Sequence, residues 1–377
     1  MQNNASTLTS FWMRVAIKGL SLFLICNFAF AFTDPEYGKF SLYNHIFAGR
    51  LRLPYSDQPS ESYNVTITNL DAMFASHILA GNPKSPSEYR VLLIGDSATW
   101  GYLLTPDQTL TAFLNREELH TPDNKQVLFY NLGYPVMSLL KDVLILDRGL
   151  KYQPDLVLWL ITLESFPKEK QLYSPLLEQN PGAVIRLIQK LDLNESISPP
   201  QPSQTTLWQR SLFGQRKALA DWLRFQLYGF LWTATHVDQA IPAEIPQRQI
   251  DLSADLEFYG QSPPKLDPDF LSFSVIEAAY RLASPIPIIL INEPMFISDG
   301  LNSHIRYNFY YPRWAYDDYR ATLASFCQKK ALTCWDLWDL ISPEEFTNTA
   351  IHMTPQGTAQ TAQWIATALQ NWLDTAK

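Results

Sequence analysis

Five short runs of this chain are almost continuously apolar: RVLLIG at 90–95, QVLFYNL at 126–132, DLVLWLI at 155–161, PIPIILIN at 285–292 and LTCWDL at 332–337. A strand with one wet face alternates apolar and polar residues, whereas a strand covered on both faces has no reason to. Runs of this kind call for a sheet with helices on both sides. Helical spacing follows between and after them, at 109–119, 136–150, 270–283, 316–331 and 356–373. Strand, helix and strand in repetition predict a right-handed βαβ series: one open, doubly wound, mainly parallel five-stranded sheet with helices on both faces, a three-layer α/β/α domain. In such sheets ligands bind at the carboxyl ends of the strands.

The alternation is broken from about 165 to 268, where the Pro/Ser-rich SISPPQPSQ precedes LWQRSLFGQRKALADWLRFQLYGFLWTATHVD. That second stretch is helical, aromatic and amphipathic, with Arg and Lys on one side. It suits a helical cap over the site, a cap that is simply part of the core, a surface lying on a membrane, or a docking face for a membrane partner.

At the other end, FWMRVAIKGLSLFLICNFAFAF (11–32) is apolar apart from Arg14, Lys18 and a few small polar residues, and Asp34 and Glu36 follow it. Basic residues before and acidic residues after keep the N-terminus in the cytoplasm and send the rest across the membrane. Gly19 to Phe32 has the length of a signal-peptide core, with Ala29-Phe30-Ala31 as a cleavage site. With Lys18 snorkelling at the interface, the same segment serves as an uncleaved anchor. The sequence thus divides into a leader or anchor at 1–37, an extension at 38–85, and the sheet domain with its helical insertion at 86–377. A secreted product and a membrane-anchored, extracytoplasmic one are both expected outcomes.

Acidic residues outnumber basic ones, 37 to 29, and the net charge of −8 excludes a broad nucleic-acid footprint, which needs a dense basic face. No metal-ligand spacing appears. Beyond the leader, Cys327 and Cys334 flank the end of a predicted helix and the start of a predicted strand; they are either one disulfide of an exported chain or two buried thiols.

The chemistry-bearing positions lie at strand ends. Gly95-Asp96-Ser97 follows the first strand, and a serine there is either a nucleophile facing helix N–H groups or an ordinary helix cap. Asn131-Leu132-Gly133 follows the second strand, where Gly133 permits close backbone approach. His352, in FTNTAIHMTPQG, precedes the last helix, from where an imidazole reaches toward Ser97. The remaining histidines, His45, His77, His120, His236 and His304, have no partner pattern.

Taken together, Gly95-Asp96-Ser97 with Gly101, Gly133 after a strand, and His352 with Gly357 resemble the blocks of the SGNH (GDSL-type) hydrolase superfamily, over roughly residues 86 to 375 apart from the insertion. The resemblance implies a flavodoxin-like sheet and a cofactor-free Ser-His-Asp esterase or acyl-transfer site. Ser97 would be the nucleophile and His352 the general base, with the N–H groups of Ser97 and Gly133 in the oxyanion hole.

Two positions depart from the family pattern. Glu164, in Ile161-Thr162-Leu163-Glu164-Ser165, stands where the family has an oxyanion asparagine, and Thr162 and Asn292 are the candidate substitutes. Thr349 stands where the orienting aspartate is expected, three residues before His352. Asn348 is the candidate to fix the tautomer, as an Asn does in Cys-His-Asn enzymes, with Asp336 and Asp339 as further candidates. Trp100, Asn292 and Arg313 are candidate substrate contacts, Arg313 from the Arg/Tyr-rich stretch 306–320, which reads either as a sugar-stacking surface or as a packed loop.

An anchored domain of this kind resembles the extracytoplasmic partners of membrane-bound O-acyltransferases. That implies acyl-ester chemistry on a glycan or similar substrate. The two departures also suit a catalytically impaired relative that binds glycan or scaffolds a membrane complex.

Overall fold

The computed structural model describes residues 2–33, 35, 49–55, 67, 69–198, 206–235 and 244–375. His45, His236, Asp34 and Glu36 lie outside them. In chain order the main elements are α1 (Gln2–Thr33), β1 (Glu88–Ile94), α2 (Ser97–Trp100), α3 (Leu110–Arg116), β2 (Gln126–Asn131), α4 (Leu139–Gly149) and β3 (Leu156–Ile161). They continue with α5 (Pro181–Lys190), α6 (Arg216–Thr235), α7 (Phe273–Ala283), β4 (Ile288–Asn292), α8 (Arg313–Lys330), β5 (Thr333–Asp336) and α9 (Pro355–Thr375).

All neighbouring strands run parallel, in the order β2-β1-β3-β4-β5, the flavodoxin-like doubly wound arrangement. The apolar runs explain themselves in the packing. Leu92, Ile94, Val157, Trp159, Ile161 and Leu290 face one core, which α4, α5, α7 and α8 cover. Their alternates Val91, Leu93, Leu158, Leu160, Ile289 and Ile291 face a second core under α3 and α9. Both faces are dry through the sheet centre, and the buried polar residues Glu88, Arg90, Asn131 and Asn292 lie toward strand ends, each hydrogen-bonded.

The interruption at 165–268 is not one unit. Val184, Leu187 and Ile188 of α5 are buried in the same core as α4, so this part belongs to the domain itself. The later part divides again: the turn Leu207–Arg210 before α6 contacts α1, whereas Phe258 and Leu266 are buried in the α4 core. The extension is also drawn in: Leu70, Met73 and Phe74, from a short helix capped by Asn69, pack into the α4 core. Cys327 and Cys334 form a disulfide, tying the end of α8 to β5 at the sheet edge.

Candidate active site

Every element of the site starts from a strand end. β1 ends at Ile94, and Asp96 caps the single turn of α2 by accepting the Ala98 N–H at 2.8 Å. Ser97 is thereby the first residue of the turn, where an N–H has no acceptor inside its own helix. Gly101 ends the turn in the left-handed region, φ 87°, which glycine alone adopts without penalty. Gly133 lies flat against the same turn: a Cβ there would meet Trp100 N at 2.4 Å. The β2 loop and the nucleophile turn therefore touch backbone to backbone.

His352 lies in the loop before α9 and is 7% exposed. Its Nε2 is 2.8 Å from Ser97 Oγ and its Nδ1 is 2.8 Å from Asn348 Oδ1. The loop is braced locally. Thr349, at the position expected for an acid, turns its hydroxyl to accept the N–H groups of Ile351 and His352 at 3.3 and 3.2 Å. The carbonyl of His352 accepts from the Thr347 N–H at 2.8 Å. Tyr102 lies over the imidazole, ring centroids 4.7 Å apart. The structure thus brings Ser97, His352 and Asn348 together. Asp336 is engaged elsewhere, paired with Arg320 at 2.7 Å.

Beneath the turn is a buried charge cluster that sequence reading did not single out. Lys141, fully buried, donates to the carbonyl of Gly95 at 2.8 Å and to that of Tyr134, and pairs with Asp142 at 2.6 Å. Burial pushes the Asp142 carboxyl up to about 6, against the pull of Lys141. Burial also raises Asp96, again opposed by Lys141, and it raises its neighbour Glu293 further, with the charge of Asp96 adding to the effect. Among the described residues neither Glu293 oxygen makes a well-formed hydrogen bond. One ammonium cannot neutralise three buried carboxylates, so Glu293 keeps its proton. On the far side of β2, burial lowers His77 to about 4; the ring is neutral, its Nδ1 accepting the Leu79 N–H and its Nε2–H donating to the Asn131 carbonyl.

Several expected contacts are not where the sequence suggested. The Gly133 N–H, expected in the oxyanion hole, donates to Asn131 Oδ1 at 3.0 Å, because the asparagine two residues earlier folds back over the turn. Asn131 in turn donates to the Thr99 carbonyl at 2.9 Å, so it brackets the two loops. The Thr162 hydroxyl is fully buried and hydrogen-bonded to the Tyr311 hydroxyl at 2.9 Å. Glu164 bonds Lys170 and the Tyr259 hydroxyl, forming a closed ion pair rather than a donor.

The three candidate substrate contacts are also packed inward. Trp100 donates its indole N–H to the Leu53 carbonyl at 2.8 Å, beneath the Arg52 guanidinium. Asn292 donates to Asp336 and accepts from Tyr316 and Tyr319 in the core. Arg313 donates to the Ser303 carbonyl and stacks over Tyr307. In each case a tertiary neighbour sets a side-chain direction that a strand-end position does not.

Tyr310 is the residue that sequence reading missed. It packs against Ala98, Met137 and Ile351, between the nucleophile turn and the histidine loop. Burial pushes its hydroxyl up to about 12, so it remains a proton donor throughout the neutral range. The only signal for it was the Tyr-rich stretch 306–320.

No family model and no curated protein matches the chain. Among solved structures it is similar to a carbohydrate acetylesterase family member from Sinorhizobium meliloti, at 10% identity and a TM-score of 0.33, over 75% of this chain and 98% of that one. It is also similar to a protein assigned to the lipolytic G-D-S-L family from Desulfitobacterium hafniense DCB-2, at 12% identity and a TM-score of 0.34, over 74% of this chain and 98% of that one. Both likenesses are of fold.

Proposed function

We propose that this chain is a serine esterase or O-acyltransferase working on acyl esters through Ser97 and His352. The observation that carries the reading is the relay of two 2.8 Å hydrogen bonds from Asn348 through the His352 ring to the Ser97 hydroxyl. With Asn348 Oδ1 accepting, the neutral imidazole carries its proton on Nδ1 and turns the Nε2 lone pair to Ser97. Ser97 Oγ attacks the ester carbonyl carbon as its proton passes to Nε2. The tetrahedral oxygen takes the Ser97 N–H on one side and the Tyr310 hydroxyl on the other. Collapse breaks the C–O bond, and the departing alkoxide recovers the proton from Nε2. Water or a second hydroxyl then attacks the acyl-serine with His352 again as base.

Exchanging Asp for Asn in a serine triad costs about 10⁴-fold when it leaves the histidine in the wrong tautomer. Asn348 Oδ1 turned toward Nδ1 suits the productive tautomer. What the asparagine omits is the negative charge that steadies an imidazolium, a smaller loss.

The substrate class we assign is a small acyl ester, such as acetyl, on a glycan outside the cytoplasm. A membrane-bound O-acyltransferase is its expected partner. Support comes from the resemblance of the motifs, from the apolar helix α1, which we read as a retained anchor, and from the Cys327–Cys334 bond, which suits an oxidising compartment.

A second reading has its own observation. With the Gly133 N–H given to Asn131 and Glu164 closed in an ion pair, the chain also suits a glycan-binding or scaffolding protein without turnover. A fluorophosphonate probe separates the two when applied to the full-length protein in detergent at about pH 8, above the ordinary imidazole range. Labelling that disappears in Ser97→Ala is expected; absence of Ser97-dependent labelling overturns the esterase reading and leaves the binding one.

A further inference from the structure

α1 meets the turn that precedes α6 in an unusual way. The stretch Ser10–Thr33 is long and apolar enough to cross a bilayer. At about 1.5 Å per residue it spans roughly 36 Å. Most of its large side chains are exposed, but Asn27 is only 4% exposed. Asn27 donates to the Phe23 carbonyl in its own helix at 2.8 Å, and its Oδ1 accepts the backbone N–H of Phe213 at 2.8 Å. The rings of Phe23 and Phe213 meet edge to face alongside. A polar side chain inside an apolar helix is costly unless bonded, and so is a bare backbone N–H at membrane depth. Each satisfies the other.

The depth follows from the helix. Asn27 lies six residues before the last residue of α1. That places Phe213 about 9 Å inside the end of α1 that leads to the catalytic domain. Around this contact the chain presents apolar side chains outward: Trp208 is 53% exposed, Leu223 57% and Leu227 73%. Ala220, Leu223 and Leu227 fall at i, i+3 and i+7 on α6, an apolar stripe bordered by the exposed Arg224, which pairs with Asp221. Arg216, stacked on the Phe213 ring at 4.5 Å, sets a cation beside them, as at a headgroup boundary.

We propose that residues 207–227 form a second membrane element, seated in the leaflet nearest the catalytic domain and docked on α1 through Asn27. The domain is then held to the lipid surface at two places, and its orientation over the bilayer is fixed. The proposal rests on α1 being retained as an anchor. The occupant of the apolar stripe is lipid, because α6 leads on from Phe213, which is docked on α1 at membrane depth.

The test uses the full-length chain with Cys26→Ala, so that the remaining cysteines are disulfide-bonded, reconstituted in nanodiscs of phosphatidylethanolamine and phosphatidylglycerol. Nitroxides are placed at Trp208→Cys, Leu223→Cys and Leu227→Cys, with Leu301→Cys, exposed on the sheet domain, as control. Oxygen collisions are expected to exceed those of a water-soluble nickel chelate several-fold at the three sites, and the reverse at 301. Chelate access equal to the control overturns the proposal and points to a water-facing or protein-facing surface.

Flotation with vesicles tests the anchor separately. A chain that fails to float ends both readings. One that floats with water-exposed labels keeps the anchor and ends only the docking. Asn27→Ala is expected to float normally while the lipid signature at 208 falls at least twofold; an unchanged signature removes Asn27 from the docking.

Discussion

On the β5 side of Ser97, His352 keeps both ring nitrogens at 2.8 Å from a partner, and its loop is braced by Thr347 and Thr349. On the β3 side, each polar group positioned to receive an oxyanion is already bonded to a neighbour: Thr162 to Tyr311, and Glu164 to Lys170 and Tyr259. Activation of the nucleophile and stabilisation of the tetrahedral oxygen are thus separate pieces of construction. A chain can keep the first while rebuilding the second. The β3 side holds a buried ion pair, and on the proposed reading the donor duty falls to the Ser97 N–H and Tyr310.

The largest test of this contrast removes its common centre. Ser97→Ala is expected to lower kcat on an aryl acetate by about 10⁴-fold or more, since triad members act as a unit. A smaller loss places the turnover elsewhere. Glu164→Asn, which introduces the asparagine of the resembled motif, is expected to destabilise by about 3 kcal/mol without raising activity, because it strips Lys170 of its buried counterion. Denaturant unfolding measures the first part. A gain in kcat would show that the β3 side still serves the oxyanion.

Tyr310→Phe should lower kcat by about 10²-fold with little change in KM, the usual cost of one oxyanion donor. An unaltered kcat would leave Ser97's own N–H unsupported by this phenol. The mildest change sharpens the other side. Asn348→Asp should raise kcat by about tenfold, the difference made by a charge-assisted hydrogen bond to the imidazolium. A fall instead would mean that the asparagine is bound into the loop by more than its oxygen.

Much of this was legible before any coordinates. The strands buried on both faces announce themselves through unbroken apolar runs, with β5 at the sheet edge only half-buried, and Gly95-Asp96-Ser97 is local, so its turn is written in adjacent residues. His352 was proposed from its place before the last helix, which depends on chain order. Side-chain direction is different. Trp100 lies in the turn after β1, Asn292 ends β4 and Arg313 opens α8, yet Leu53 and Asp336, far away in sequence, and Ser303, ten residues back, decide where their polar atoms go. Gly133 was misread for a nearer reason. Asn131 is two residues away, and an asparagine at that spacing readily bonds a following N–H. The division of 165–268 into a core part and a part that meets α1 was hidden as well, since both are amphipathic and only their neighbours differ.

Arg52 donates to the carbonyls of Gly101 and Leu104, its guanidinium covers the Trp100 ring at 4.1 Å, and Leu53 accepts the indole N–H. These residues belong to the stretch leading from the anchor, not to the sheet domain that hydropathy outlines from residue 86. A truncation starting there would keep all five strands while leaving the back of the nucleophile turn unbraced.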